Sequence, residues 1–600
     1  MTSGARRASA AFICLLLAII HTWPLALDPG RWSRNDNGDA QLNEWILAWV
    51  AHQLPRDPMH LFEANIFYPA HDALAFSEPL IVPALMGAPL AWLGASPVLV
   101  YNLVLIAGFA LTAFVTCRLV ERWTGDLFAG LLAGSAFAFN THTLTRLAHV
   151  QGIHIYGLPL ALLGVDAIIT RGGPGPARAA LVLVAAMVLM AYTSGYLVVF
   201  AAVMVPAALL ARAPEWWRRA RIVVPTLAAA AAVTAAAVLP VYLPYHRVAR
   251  EQHMVRTLDT VNDYSATMTG YLASAGRLHV STWSGRFFRD PVDSFFPGIV
   301  VALLSLVAIV AAVRARDQRG RVVMLGGIAL VGLLLSLGTA TPFYAIAFHA
   351  FPPMQGLRVA ARFGNLFLLG VALLGGLGLA ALRRGLPPEG GSYGSRDEGR
   401  GFRPLGSFRL LHSFRLLRSF RLLHSFRLLR SFRLLRSFRL LRSFRLQAEV
   451  LPIALIFLVN IEALRAPFDY REFTGVPNIY TLLRDEPGPV VLVEQPFFPR
   501  RMAFENAPYV LNSTAHWRPL MNGYSGYTPE SYQRYADTFW YFPQERAFRA
   551  MKEAGVTHVM VHPHRFDRDA GRVIEQVSGR PDMELLAVGK DGIRLYRLHH

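Results

Sequence analysis

Two aspartates, Asp36 and Asp39, lie three residues apart in a polar stretch that follows the first long apolar run of the chain. A carboxylate in such a stretch can accept a proton from the hydroxyl of an acceptor molecule, which is the chemistry of a general base. A structural role is also open, because Asp39 directly precedes an apolar-periodic segment and aspartate is a good helix N-cap. The sequence therefore offers either aspartate as a base, and Asp39 also as a cap.

The segment after these aspartates carries apolar side chains at helical spacing. They recur at i, i+3, i+4, i+7 and i+8, and two of them are tryptophans: Leu42, Trp45, Ile46, Trp49 and Val50. One apolar face with tryptophans is typical of a helix that lies in the membrane interface. We therefore predict an interfacial helix that holds the aspartates at the membrane surface.

A second polar stretch, over 141–152 and its edges, reads THTLTRLAHVQGIH. Arg146 can pair with a phosphate, and His149 and Gln151 can bind a phosphate or a metal. The spacing matches no tetrahedral zinc pattern, so no residue is assigned to a metal, although a divalent metal stays open as a cofactor. The alternative is that these polar residues only cap two membrane spans.

Two arginines follow in MQGLRVAARFG, at residues 354–364. Arg358 and Arg362 are four residues apart, and on a helix this spacing places them on one face. Such a pair can hold the phosphate of a lipid-linked donor, or it can simply contact lipid phosphates. Other arginines at 247, 250 and 256 lie in a preceding loop of the same predicted side.

The composition sets the class of protein that must position these residues. Of 600 residues, 54% are hydrophobic and 16% are charged, whereas soluble globular chains carry about 25% charged residues. The apolar residues form runs long enough to cross a bilayer as helices. The net charge of +20 does not indicate nucleic-acid binding, because eleven arginines lie in one repeat and most others in short loops.

Arginine placement predicts eleven spans with the N-terminus inside, because cytoplasmic loops are enriched in arginine. A long outside loop covers 27–96, within which 79–94 is too short for a span and is predicted to be re-entrant or surface-lying. The predicted spans are 8–26, 97–117, 126–140, 153–170, 178–194, 196–212, 222–243, 295–313, 321–338, 363–382 and 448–464.

Residues 383–447 are predicted to be a cytoplasmic linker that contains a low-complexity repeat. Seven copies of SFRLLR or SFRLLH, the last one degenerate, occupy 407–446. A period of six fits neither a helix nor a strand. We expect the repeat to be dispensable, so that deletion of 407–442 leaves expression and membrane insertion nearly intact.

The tail, residues 465–600, changes character. VVLVEQP, YVLNS, THVMVHP and IRLYRL indicate strands, and 529–553 and 568–578 indicate helices. This alternation predicts a small α/β domain, which the topology places outside.

Several of these motifs are similar to those of the GT-C superfamily of polyprenyl-phosphate-sugar-dependent membrane glycosyltransferases, and more narrowly to uncharacterised bacterial YfhO-type proteins. They are GDAQLNEWILAW, LFEANIFYPAHDALAFSEPL, FAFNTHTLTRLAHVQ, FFPG and LRVAARF. The resemblance covers roughly residues 8–380 and, less fully, 448–600. The acidic motif of that family falls on Asp36 and Asp39, which here are not adjacent. The expected fold is therefore mainly α, a polytopic GT-C-like membrane domain over 1–382 with the C-terminal α/β domain.

The resemblance implies an inverting glycosyltransferase of the bacterial cytoplasmic membrane, with a lipid-linked sugar donor and membrane lipids as partners and no nucleic acid. Asp39 or Asp36 would be the base, and Arg146, Arg358 or Arg362 would stabilise the phosphate. The alternatives are a non-catalytic transporter of lipid-linked glycan and a structural envelope protein. Asp166, near the inner end of the fourth span, is the main intramembrane charge that a transporter could use.

Overall fold

The computed structural model describes residues 3–34, 37–170, 175–254, 256–288, 293–314, 318–384 and 444–600. Asp36 and nearly all of the linker, including most of the repeat, lie outside these residues. The described chain is mainly helical, and each of the eleven predicted spans coincides with a helix. Up to residue 463 the helices are α1 (Ser3–His21), α2 (Gly38–Gln53), α3 (Ile81–Trp92), α4 (Pro97–Thr124), α5 (Leu127–Ala138), α6 (Thr141–Leu144), α7 (Gly157–Ile169), α8 (Pro176–Ala191), α9 (Gly195–Ala211), α10 (Ala213–Trp216), α11 (Ala220–Glu251), α12 (Leu258–Asp263), α13 (Arg277–Thr282), α14 (Ile299–Arg314), α15 (Arg319–Ser336), α16 (Pro342–Ala350), α17 (Gly364–Arg384) and α18 (Phe444–Ala463).

Six helical stretches of the described chain are long and apolar enough to cross a membrane, and six further apolar helices are shorter. The long stretches contain α1, α4, α7, α11, α15 and α17, and they support a membrane location. Helix α3 belongs to the shorter group, with 12 residues. The count of eleven spans and the re-entrant nature of α3 stay predictions.

Helix α17 lies at the centre of the bundle and packs against α5, α14 and α15. Its glycines allow this close approach: a Cβ at Gly378 would overlap the carbonyl oxygen of Leu304, and one at Gly370 would press on Leu325 and Ala329. Small residues at such contacts let helix backbones pack closely in lipid, where burial of apolar surface supplies little driving force.

The predicted exposure of the apolar face of α2 to the membrane interface is wrong. Trp45 is 1% exposed and Trp49 is 5% exposed, so neither tryptophan faces lipid. Helix α2 is covered by α3 and α4 on the side of the bundle and by a C-terminal helix, Ala507–Asn512, on the other. Trp49 packs against Trp517, with ring centroids 5.7 Å apart. The apolar face is therefore a protein core, which the helical period alone cannot distinguish from a lipid-facing one.

The strands of the described chain are β1 (Trp32–Ser33), β2 (Arg471–Glu472), β3 (Leu492–Gln495), β4 (His558–Val561), β5 (Met583–Val588) and β6 (Arg594–Leu598). The last four form a sheet in the C-terminal region, in the order β3-β4-β6-β5, in which β3 and β4 are parallel and the other pairs are antiparallel. The helices of this region are α19 (Ala507–Asn512), α20 (Glu530–Phe539), α21 (Glu545–Glu553) and α22 (Ala570–Ser578).

Three of the four predicted strands are confirmed, as β3, β4 and β6, and both helical predictions are confirmed, the first as the pair α20 and α21. YVLNS is helical instead, as part of α19. Pro508 stands in the first turn of that helix, a position that tolerates its fixed φ and missing N–H. Strand β5 was not predicted.

Backbone hydrogen bonds join the C-terminal region to the first loop. Leu520 N–H donates to Asn65 O at 2.7 Å, Tyr68 N–H donates to Leu520 O at 3.0 Å, and Phe67 N–H donates to Asn522 O at 3.2 Å. Strand β1 also pairs with β2. The segment that follows Asn522 is thereby held over the N-terminal end of α2.

Candidate active site

Asp39 is the second residue of α2, and Asn37 is the N-cap. The Asn37 side chain accepts a hydrogen bond from the Asp39 N–H at 2.9 Å. The alternative in which Asp39 caps the helix is therefore wrong, and its carboxylate is available for other contacts. A negative charge in the first turn is still favourable, because the N-terminal end of a helix carries partial positive charge.

The Asp39 carboxylate is held by two side chains from distant parts of the chain. The Tyr524 hydroxyl donates to Oδ1 at 2.6 Å, and His149 Nε2 lies 3.2 Å from Oδ2. Burial on its own raises the pKa of Asp39, but the hydrogen bond and charge of His149 and the Tyr524 hydroxyl outweigh it and lower the pKa to about 2. Burial lowers the pKa of His149. The pair is thus an ionised carboxylate beside a neutral imidazole at neutral pH.

Asn43 fixes the distance between α2 and the segment that carries His149. Its amide nitrogen donates to Asp39 O at 2.8 Å and to Ala148 O at 2.7 Å. The buried Tyr101 hydroxyl donates to Leu147 O at 2.7 Å from the side of α4. Ala148 directly precedes His149, so these bonds position the imidazole against Asp39.

Arg358 and Arg362 do not share a helical face, because the backbone between Leu357 and Val359 is not helical. They converge instead on Tyr196. Its hydroxyl accepts hydrogen bonds from the N–H groups of Arg358 and Val359, each at 3.0 Å, and the Arg362 guanidinium lies over its ring at 4.4 Å. The Arg358 guanidinium lies over the Tyr264 ring at 4.7 Å. Within the described ranges, neither guanidinium forms an ion pair with a carboxylate.

Most of the other predicted residues meet in one cleft. Arg146, His149, Gln151 and Arg362 all line it, together with Tyr196. Gln151 is 8% exposed, and its Oε1 has no hydrogen-bond partner among the residues that the structure describes. The cleft thus combines positive charge with polar atoms that can bind a ligand. Arg358 does not line it.

Three residues of this region were not found from the sequence: Tyr196, Tyr524 and Glu78. Glu78 Oε2 accepts the Gly195 N–H at 2.8 Å, at the N-terminal end of α9. Burial raises the pKa of Glu78, against the opposing charge of Arg362. The charge of Arg362 therefore acts on Asp39, Glu78 and His149 together. In the described part of the chain, no group of three or more His, Cys, Asp or Glu side chains is arranged to hold a metal.

Asp166 lies at the other end of α7 and belongs to a different kind of cluster. Its carboxylate accepts Trp123 Nε1–H at 2.9 Å, forms an ion pair with Arg321 at 3.1 Å and forms another with Arg212. Arg212 also pairs with Glu215. We call Asp166, Trp123, Arg212 and Arg321 the Asp166 cluster, and Asp39, His149, Tyr524 and Arg362 the Asp39 cluster. In the Asp166 cluster, every charge faces an opposite charge.

In sequence, the chain matches no protein-family model and no curated protein. Among solved structures it is similar to the single-particle cryo-EM structure of arabinofuranosyltransferase AftD from Mycobacteria, at 16% identity and a TM-score of 0.58. That match covers 100% of this chain and 40% of AftD, so the chain spans well under half of the AftD length. A mutant of AftD gives 17% identity and a TM-score of 0.54, over 100% of this chain and 42% of that one.

ArnT from Cupriavidus metallidurans, bound to undecaprenyl phosphate, covers 100% of this chain and 98% of its own at 13% identity, but its TM-score of 0.44 is too low to carry an argument. The similarity to AftD, which is named as an arabinofuranosyltransferase, shows that this chain shares a fold with the part of AftD that it covers. This shared fold supports the predicted GT-C-like fold. The YfhO-type subgroup stays a prediction.

Proposed function

We propose that the protein is an inverting membrane glycosyltransferase that transfers a sugar from a polyprenyl-phosphate donor to an acceptor hydroxyl. The observation that supports this most is the Asp39 cluster. An ionised carboxylate is held by Tyr524 and by His149, and His149 lines the same cleft as Arg362, whose guanidinium forms no ion pair among the described residues. A base next to a cleft that holds a phosphate-binding group is what transfer from a phosphate-linked donor requires.

The proposed step starts with the acceptor hydroxyl, whose proton moves to Asp39. The acceptor oxygen then bonds to the anomeric carbon of the donor sugar, while the bond from that carbon to the phosphate oxygen breaks. Negative charge builds up on the departing phosphate, and Arg362 and Arg146 would stabilise it there. Asp36, which the structure does not describe, stays the second candidate for the base.

Arg358 and Arg362 suit a phosphate because neither guanidinium is held in an ion pair among the described residues. Each lies over an aromatic ring instead, Arg358 over Tyr264 and Arg362 over Tyr196. Arg256, which is half-buried, adds another positive charge next to Arg358, and it donates only a long hydrogen bond of 3.4 Å to Gly526 O. Arginine binds phosphate oxygens through paired N–H donors, so an unneutralised group of this kind favours a phosphate ligand.

The transporter alternative is weakened by Asp166. Intramembrane charges that serve transport face a pathway or a mobile partner, whereas Asp166 is 5% exposed and is bound by Arg212 and Arg321. Its role is accounted for by this cluster. The proposed location is the extracytoplasmic face of a bacterial cytoplasmic membrane, with residues 465–600 on that face.

The test is a transfer assay with purified protein in detergent. The probes are radiolabelled pentoses and hexoses on a short-chain polyprenyl phosphate, with envelope glycan as the acceptor and arms with Mg²⁺ or EDTA. We expect labelled glycan with at least one donor, and inverted configuration at the new bond. Folded protein that transfers no sugar from any donor, with or without Mg²⁺, would contradict the proposal.

A further inference from the structure

A second cleft lies on the C-terminal region, outside the residues discussed so far. One wall is the face of α20 that carries Gln533 and Asp537 and ends at Trp540 and Tyr541. The opposite wall is the segment 499–502, which includes Arg500 and Arg501. This cleft is larger than the one that His149 and Arg362 line, and the sequence analysis assigned a role to none of its residues.

Trp540 stands out in this cleft because 48% of this large aromatic residue is exposed to solvent, although the region around it is well packed. Its neighbours on α20, Tyr532 and Phe539, are turned into the core, where each is at most 1% exposed. One face of Tyr541 is covered by the Arg546 guanidinium, 3.1 Å from the ring centroid. Trp540 has no stacking ring in the described part of the chain, so an indole face and its N–H are free for a ligand.

The polar groups around Trp540 are those that pair with hydroxyl groups. Gln533 Nε2 donates to Asp537 Oδ1 at 2.8 Å, so an amide and a carboxylate stand side by side one turn before the indole. Arg500 and Arg501 are exposed and form no ion pair among the described residues. An aromatic face packs against the C–H side of a sugar ring, while amide, carboxylate and guanidinium groups bond to its hydroxyls in pairs.

Tyr527 links the cleft to the proposed transfer site through a series of contacts. Arg500 lies 5.9 Å from the Tyr527 ring centroid, and Arg256 approaches the same ring at 6.0 Å. Tyr527 follows Tyr524, the partner of Asp39, by three residues. Three residues of chain span on the order of 10 Å at most, so Tyr524 and Tyr527 are close in space. A ligand of several sugars is therefore long enough to extend from this cleft towards Asp39.

We infer that the cleft between α20 and residues 499–502 binds an oligosaccharide, with Trp540 as the stacking platform and Gln533, Asp537 and Arg500 as hydroxyl partners. The further statement that this oligosaccharide is the acceptor rests on the proposed function. The binding itself does not, and it can be measured separately from sugar transfer. The side-by-side amide and carboxylate of Gln533 and Asp537 favour a sugar as the occupant, and an anionic membrane surface, which Arg500 and Arg501 would attract, is an outcome of the test.

The test uses the full-length protein in detergent and a panel of neutral and uronic-acid-containing oligosaccharides of four to six sugars, followed by calorimetry. We expect saturable binding of at least one member. Trp540→Ala should weaken this binding about tenfold or more, since one well-placed contact of 1.4 kcal/mol corresponds to a factor of ten. Trp540→Phe keeps an aromatic face and should lose less. Trp217→Ala removes a tryptophan that is 70% exposed elsewhere, and should change nothing.

The outcomes separate the two proposals. Glycan binding that Asp39→Asn leaves intact, in protein that transfers no sugar from any donor, supports the cleft and contradicts the proposed function. Sugar transfer with no binding by the panel, or with binding that Trp540→Ala leaves unchanged, overturns the cleft alone. Loss of binding to anionic vesicles, but not to oligosaccharides, in Trp540→Ala would also overturn it and assign Trp540 to lipid.

Discussion

The Asp39 cluster and the Asp166 cluster contain the same kinds of groups at opposite ends of α7. In the Asp166 cluster, a carboxylate that is 5% exposed is bound by two arginines and an indole N–H. In the Asp39 cluster, about a third of the carboxylate is exposed, and its partners are a neutral imidazole and a phenol. The nearby Arg362 lies over a ring rather than against a carboxylate.

This difference indicates what each cluster is for. A buried carboxylate with complete partners has no capacity left for a ligand, and it joins α4, α7, the end of α9 and α15 into one unit. In the Asp39 cluster, the Arg362 guanidinium lies over the Tyr196 ring rather than in an ion pair, so its N–H donors stay available for a bound phosphate. Variants in the two clusters should therefore fail in different assays.

The largest expected effect is that of Asp39→Asn on sugar transfer. The amide keeps the size of the side chain and can still accept the Tyr524 hydroxyl, but it cannot take a proton. A positioned general base contributes about a hundred- to ten-thousand-fold in rate, so transfer should fall by that factor while folding is kept. Asp39→Ser should behave in the same way.

The matched control is Asp57→Asn. Asp57 lies in the same loop and also pairs with a histidine, His60, at 2.7 Å, but it is exposed. The Asp57→Asn variant should therefore transfer sugar at the wild-type rate. Full activity of Asp39→Asn, with loss in Asp36→Asn, would move the base to Asp36, and full activity of the double variant would remove both from the mechanism.

Asp166→Asn should act on stability instead. Removing one charge of a buried ion-pair group typically costs about 3–5 kcal/mol, because the remaining charges stay buried without compensation. We expect a clear loss of thermal stability in detergent, measured by differential scanning fluorimetry. Asp126→Asn is the control: Asp126 pairs with Arg383 and caps α5, and asparagine caps about as well as aspartate. Equal stability of all three proteins would show that the Asp166 cluster is not structural.

Arg362→Gln should weaken donor binding by about tenfold or more, since hydrogen bonds to charged groups contribute about 1.5–3 kcal/mol. The measurement is the KM for the polyprenyl-phosphate sugar. Arg247→Gln is the comparison, because Arg247 is already paired with Asp72 through two hydrogen bonds of 2.9 Å. A similar rise in KM for both variants would assign the effect to overall positive charge rather than to Arg362.

The smallest expected effect is a pH shift in Tyr524→Phe. The depressed pKa of Asp39, about 2, keeps the wild-type carboxylate ionised as the pH falls to that value. Removing the Tyr524 hydroxyl removes one donor to the carboxylate, so the pKa of Asp39 should rise. The rate at about pH 3, relative to that at about pH 7, should therefore drop below the wild-type ratio. An unchanged ratio would show that Tyr524 does not tune Asp39.

The helices of the apolar runs could be predicted from the sequence, because long apolar runs in lipid have to be helices. The run over 97–117, for example, is part of α4. What covers α2 could not be predicted, because an apolar face with Trp45 and Trp49 has the same sequence pattern whether lipid or α19 covers it. The break at Leu357–Val359, which separates Arg358 from Arg362, has no clear signal either.

Of the two side chains that hold the Asp39 carboxylate, only His149 was predicted from the sequence. His149 stood out because it lies in a polar segment between apolar runs. Tyr524 is 485 residues from Asp39 in the chain, and its contact depends on how the C-terminal sheet is fixed to residues 65–68. Asn37 could have been identified as the cap, because asparagine caps a helix as well as aspartate and it stands two residues earlier.

The decisive measurement compares Asp39→Asn and Asp166→Asn in parallel, with sugar transfer and melting temperature recorded on the same preparations. If the Asp39 cluster is catalytic, Asp39→Asn melts near the wild-type temperature and loses transfer by at least about a hundredfold, whereas Asp166→Asn melts lower and transfers sugar while it stays folded. If Asp39→Asn keeps full transfer, or loses it only in proportion to a lowered melting temperature, Asp39 is a structural residue and the proposed mechanism is wrong.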